Sequence, residues 1–118
     1  MIQHISAITF AVSDMARSVQ FYQKLGFELV YGGERTTFSS MKAGEAFVNL
    51  LTSPEYENKW WGRAIFRVED ADAQHRILQA RGLILESPRN GSWGERFFHL
   101  CDPDGHELSF AALLKERP

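Results

Sequence analysis

The chain carries one cysteine, Cys101, so an internal disulfide is excluded. With no basic, apolar and small-residue leader at its start, the expected setting is the reducing cytoplasm. No apolar run approaches the roughly 18 residues that suggest a membrane span, so a membrane partner is not expected. Basic stripes are missing too: 13 Lys and Arg are scattered among 15 Asp and Glu for a net charge of −2, which excludes the electrostatic footprint of a nucleic-acid binder. No linker or low-complexity stretch divides the 118 residues, and 44% hydrophobic with 24% charged residues suits one globular domain spanning 1–118.

What is present is an echo. "VSDMARSVQFYQKLGF" begins at Val12 and "VEDADAQHRILQARGL" at Val68, and the pairs Val12/Val68, Asp14/Asp70, Gly26/Gly82 and Phe27/Leu83 share an offset of 56 residues. An offset near half the chain length implies two copies of one supersecondary unit, about 1–55 and about 60–114.

Each copy reads as strand, helix, then three strands. "HISAITFAV" is β-branched, aromatic and short, which predicts a strand. Asp14 then predicts an N-cap, with Met15, Val19, Tyr22 and Leu25 at helical spacing and Gly26 as a left-handed C-cap. "FELVYG", "TTFSSMK" and "AFVNLLT" follow as strands. The second copy predicts "RAIFRV", a helix over about 71–81, "LILES", "RFFHLCD" and "HELSFAAL", with Asp102-Pro103-Asp104-Gly105 as the last hairpin turn.

A doubled βαβββ unit carrying "AVSDMARSVQFYQKLGF" and "WGERFFHLCDPDGHELSF" resembles the vicinal oxygen chelate superfamily of glyoxalases, bleomycin resistance proteins and extradiol dioxygenases, and is most similar to the bleomycin-resistance-like subgroup. The resemblance implies an α+β fold of two βαβββ modules in tandem, each a curved mixed sheet with a helix on its convex face, forming a concave cavity. It also implies a homodimer.

In the metal enzymes of that superfamily, ligands stand five residues before the Val of each first strand, on the fourth strand of the first half, and four residues past the Gly of the last turn. Here those positions hold Ala7, Arg63, Asn49 and Ser109. None is a good donor to a divalent ion, and a guanidinium puts positive charge where a cation must sit. No metal and no other cofactor is therefore expected, and no catalytic residue. Among displaced donors only His99 with Glu107 forms a candidate pair, and two donors fall short of a site. Cys101 reads as a small buried hydrophobe.

Strand parity directs Arg63, Ile65 and Arg67 into the cavity and Ala64, Phe66 and Val68 onto the helix side. The candidate ligand-binding set is then Phe38, Phe47, Asn49, Trp60, Trp61, Arg63, Arg67, Trp93, Glu107 and Ser109. Indoles near a cavity mouth offer flat surfaces to a planar ligand, although tryptophans beside strand ends also close cores and oligomer interfaces. The arginines suit an anionic group, unless Glu107 pairs with one of them. The expected function is metal-independent binding and sequestration of a planar or aromatic small molecule. The alternative is a metal-dependent glyoxalase- or dioxygenase-like enzyme with displaced ligands.

Overall fold

The computed structural model describes residues 1–114, and its elements occur twice in the same order. The first set is β1 (Ala7–Val12), α1 (Met15–Leu25), β2 (Glu28–Tyr31), β3 (Phe38–Ala43) and β4 (Ala46–Thr52). The second is β5 (Arg63–Arg67), α2 (Ala71–Ala80), β6 (Arg89–Asn90), β7 (Glu95–Cys101) and β8 (Glu107–Leu113). Each set makes a four-stranded mixed sheet, ordered β1-β4-β3-β2 and β5-β8-β7-β6. In each, the first strand pairs parallel with the last and the others pair antiparallel. These are tandem βαβββ modules of the α+β class.

The helix starts are local chemistry. Asp14 and Asp70 are extended at φ −141° and −142°, and their carboxylates accept the amide hydrogens of Arg17 at 3.1 Å and Ala73 at 3.0 Å. Gly26 takes φ +108° at the end of α1, as expected of a left-handed cap.

The molecule divides into two compact units. Among the described residues, one is Met1–Lys59 together with Asp102–His106, the turn joining β7 to β8; the other is Trp60–Cys101 with Glu107 through Leu114. In the first unit Phe10, Val12, Val19, Tyr22, Val48 and Leu50 form a core at or below 1% exposure, on the sheet face that meets α1. Each such side chain contributes about 1.5–3 kcal/mol by leaving water. In the second, Leu78 of α2 is buried, and the His75 ring sits edge-on to Phe98 at 5.1 Å, beside Phe110 and Leu108.

Two expectations fail here. "LILES" is not a strand: residues 83–88 carry no regular structure, and β6 is two residues long. Pro88 has no amide hydrogen to extend the ladder, and a single bond from the Glu86 amide to the His99 carbonyl is what this stretch gives to β7. Cys101 is exposed, not buried, because it is the last residue of β7.

The turn at 102–106 is held by one carboxylate. Asp102 Oδ1 accepts the amide hydrogens of Asp104 at 2.9 Å and His106 at 2.8 Å, and its Oδ2 accepts the buried Tyr22 hydroxyl at 2.8 Å. The His106 ring is 2.7 Å from the Ala11 carbonyl and 5.0 Å from the Phe10 ring. Gly105, at φ +86°, lies so close to the Asn58 side chain that a Cβ there would collide with it. His106 and Tyr22 are therefore core residues of the first unit.

Candidate functional site

In the second unit the face of β5–β8 turned away from α2 is set by strand alternation. Ala64, Phe98, Leu108 and Phe110 go to the helix side, leaving Arg63, Ile65 and Arg67 of β5, Glu107, Ser109 and Ala111 of β8, and Phe97 and His99 of β7 on the other. The parity expected for β5 holds: Ala64 is buried, while Arg63, Ile65 and Arg67 are exposed.

Register then builds two matching triads. Arg63 lies opposite Glu107, whose Oε1 accepts a guanidinium hydrogen at 2.7 Å and whose Oε2 accepts the Trp60 indole N–H at 2.7 Å. Four residues along β5, Arg67 donates to Glu95 Oε2 at 2.7 Å, and the Trp93 indole N–H donates to Glu95 Oε1 at 2.7 Å. Each carboxylate thus uses both oxygens on one guanidinium and one indole, a charge-assisted arrangement that also fixes the ring. The Trp60 bond above all holds Glu107 below its ordinary carboxylate range; burial opposes it, and the Arg63 charge and bond add to the lowering.

Trp93 is fixed further. Its ring centroid is 5.1 Å from that of Phe97, and a Cβ on Gly91 would come within 2.5 Å of the indole, so glycine there lets the ring fold over the backbone. Trp60 and Trp93 nevertheless remain 74% and 64% exposed. They are locked in orientation yet open to solvent.

Between the triads sit Ile65, 61% exposed, and the buried pair His99 and Ser109, hydrogen-bonded through Nδ1 and Oγ. Burial, and next the Arg63 charge, push the His99 ring below its ordinary pKa, so it is uncharged at neutral pH. A folded value below the unfolded one means that His99 favours folding above about pH 6.5 and that this stability is lost as pH falls through the folded value. Urea titrations at pH 7 and pH 5 should show a loss of stability in the wild type that is smaller in His99→Gln; equal losses would show that His99 is not the group responsible.

Of the anticipated residues, the structure brings Trp60, Arg63 and Glu107 into one triad, Arg67 and Trp93 into the other, and Ser109 onto His99. Trp61 is 45% exposed in the segment before β5. Phe38, Phe47 and Asn49 belong to the first unit, on the face of its sheet opposite α1, where Asn49 Nδ2 lies 3.4 Å from Thr9 Oγ1 and Phe38 lies 6.2 Å from Tyr31. The arginines are paired, so the unpaired anion site that sequence left open is not what forms. His99 and Glu107 do not act as a donor pair either, since each is bonded elsewhere. Glu95 was missed; period-two parity from His99 through Phe97 points to its face, while its pairing with Arg67 is visible only in three dimensions.

A cavity of about 360 Å³ opens beside this face, lined by Glu86, His99, Cys101 and Glu107 among others. A larger hollow of about 510 Å³ lies at the start of α2 around the Asp72–Arg96 ion pair and contains none of the anticipated residues. Among the described residues no group of three or more His, Cys, Asp or Glu is placed to hold a metal ion, and no helix is long and apolar enough to cross a membrane.

Comparison with known proteins adds family context. The family described as Glyoxalase/Bleomycin resistance protein/Dioxygenase superfamily matches residues 2–110. A metallothiol transferase, FosB, from Lysinibacillus sphaericus (strain C3-41) is 24% identical over 98% of this chain and 87% of its own length. Among solved structures, the genomically encoded fosfomycin resistance protein FosX from Listeria monocytogenes has a TM-score of 0.78 at 19% identity, covering 95% of this chain and 94% of its own. Lactoylglutathione lyase from Agrobacterium tumefaciens has a TM-score of 0.76 at 16% identity, covering 95% of each chain. At such identities these two structures speak to the fold alone.

Proposed function

Since the chain belongs to the Glyoxalase/Bleomycin resistance protein/Dioxygenase superfamily, we propose that it is a metal-independent small-molecule binding protein that sequesters a planar or aromatic compound on the open face of β5–β8. The observation that carries this reading is the state of the two ligand positions on that face. Arg63 is committed to Glu107, and Ser109 to His99, so the side chains are satisfied by one another and leave no set of lone pairs for a cation. The fixed indoles of Trp60 and Trp93 supply stacking surfaces, and Ile65 an apolar floor. A homodimer, as the family resemblance implies, is part of the same proposal, as is a cytoplasmic setting.

The names of the similar proteins favour a second reading, a metal-dependent enzyme of the fosfomycin-resistance or glyoxalase kind. The residues of this chain do not fit such a metal. Ala7 and Arg63 offer no lone pair, Asn49 and Ser109 only a neutral oxygen each, and both Glu107 oxygens already accept charge-assisted or indole hydrogen bonds.

Metal content separates the two. Protein purified without chelator should carry only trace metal by plasma mass spectrometry, and added Zn²⁺, Ni²⁺, Mn²⁺ or Fe²⁺ should leave its melting temperature unchanged, because an ion that binds the native state must stabilise it. Stoichiometric metal would replace the first reading with the second.

A further inference from the structure

Building on the proposed binding function, we infer that the compound held on this face is uncharged and planar. The charges on the face cancel in pairs. Arg63 is cancelled by Glu107 and Arg67 by Glu95, each at 2.7 Å. Arg89, whose guanidinium lies 5.0 Å from the centre of the Phe97 ring, is 3.8 Å from Glu86. His99 is tied to Ser109. The basic face that the arginines suggest in sequence is therefore neutral in net charge, and every oxygen of the two triad carboxylates already accepts a hydrogen bond.

A charged ligand gains little from such a surface. An anion must share or displace a carboxylate that already holds a guanidinium, and a cation must compete with that guanidinium for the carboxylate. Either way the indole bonded to the same carboxylate loses its anchor, so charge recognition and stacking work against each other. An uncharged ring system makes no such demand.

The test is isothermal calorimetry at pH 7.5 on the full chain, with three isosteric probes: 2-naphthalenemethanol, 2-naphthoate and 2-naphthylmethylammonium. The uncharged probe should bind at least about tenfold more tightly than either ion. Glu95→Gln, which releases Arg67, should raise naphthoate affinity about tenfold relative to that of the uncharged probe measured on the same variant. That arm distinguishes this device from an ordinary apolar pocket, which would also disfavour ions but would not respond to the substitution. If either ion binds as tightly as the alcohol, or Glu95→Gln leaves naphthoate where it was relative to the alcohol, the neutral-ligand inference falls while the binding function stands. If none of the three binds at millimolar concentration, both fall.

Discussion

Asp102→Ala is expected to lower folding stability by about 3–5 kcal/mol, which corresponds to a drop in melting temperature of roughly 10–25 °C. Three donors lose their acceptor at once: the fully buried Tyr22 hydroxyl and the amides of Asp104 and His106. Each orphaned group costs about 1–3 kcal/mol, with partly wetted amides at the low end. Against a total of about 5–15 kcal/mol, such a loss threatens the fold itself. Urea denaturation measures it, and a loss under about 1 kcal/mol would mean that the turn finds other acceptors.

The matching control is Asp102→Asn. Its carbonyl oxygen can keep both amide bonds, while its amide can donate to the Tyr22 oxygen but cannot accept the phenol's hydrogen, so the expected loss is smaller than that for alanine. Electrostatics agrees with this ordering. Burial raises the Asp102 carboxyl above its ordinary range despite the bonds from Tyr22 and His106, and burial with the Asp102 charge raises the Tyr22 phenol, which stays a donor. A carboxyl raised on folding favours the folded state most below its unfolded value near 3.9. That contribution declines as pH rises through the folded value. Ionised Asp102 is thus held at a cost that asparagine avoids.

Local chemistry was legible in the sequence because it is local. The caps at Asp14 and Asp70, the helix face Met15-Val19-Tyr22-Leu25 and the positive φ of Gly26 depend on neighbours a few residues away. The repeat fixed the order of elements, and parity put Arg63, Ile65 and Arg67 on the sheet face opposite Ala64. Failures came where a distant partner decides. Ile84 looked like a strand residue, yet it is 94% exposed because β7 pairs with residues 89–90 instead. Cys101 obeys the parity of His99 but sits beyond the part of the strand that is covered. Neither triad could be read as a triad: Trp60 and Glu107 are 47 residues apart, and Arg67 and Glu95 are 28 apart.

The same triads explain why residue type was a poor guide to charge. In one dimension Arg63 and Arg67 on one face suit an anion, unless Glu107 pairs with one of them. In three dimensions each meets a carboxylate, and the two triad carboxylates spend their second oxygens on indoles. The pairing turns Arg63 and Arg67 from recognition groups into supports that aim Trp60 and Trp93. Such support is what a stacking site requires, because a ring that rotates freely must give up that freedom when a ligand arrives.

That role for the indoles leads to the second large expected effect. The double substitution Trp60→Ala with Trp93→Ala should weaken binding of 2-naphthalenemethanol by about ten- to a hundredfold. Each aromatic contact adds about 0.5–1.5 kcal/mol beyond area burial, so two supply about 1–3 kcal/mol, and each 1.4 kcal/mol is a factor of ten. Folding should be nearly unaffected, since both rings are mostly exposed and neither closes the core. The single variants should each give roughly half of the free-energy change, because the triads share no residue and stand four residues apart on β5. Trp61 remains as a fluorescent reporter in the double variant, which lets unfolding curves confirm that stability is kept. An affinity within threefold of the wild type would show that the rings do not form the walls of the site, and binding would have to be sought on the sheet face bearing Phe38, Phe47 and Asn49.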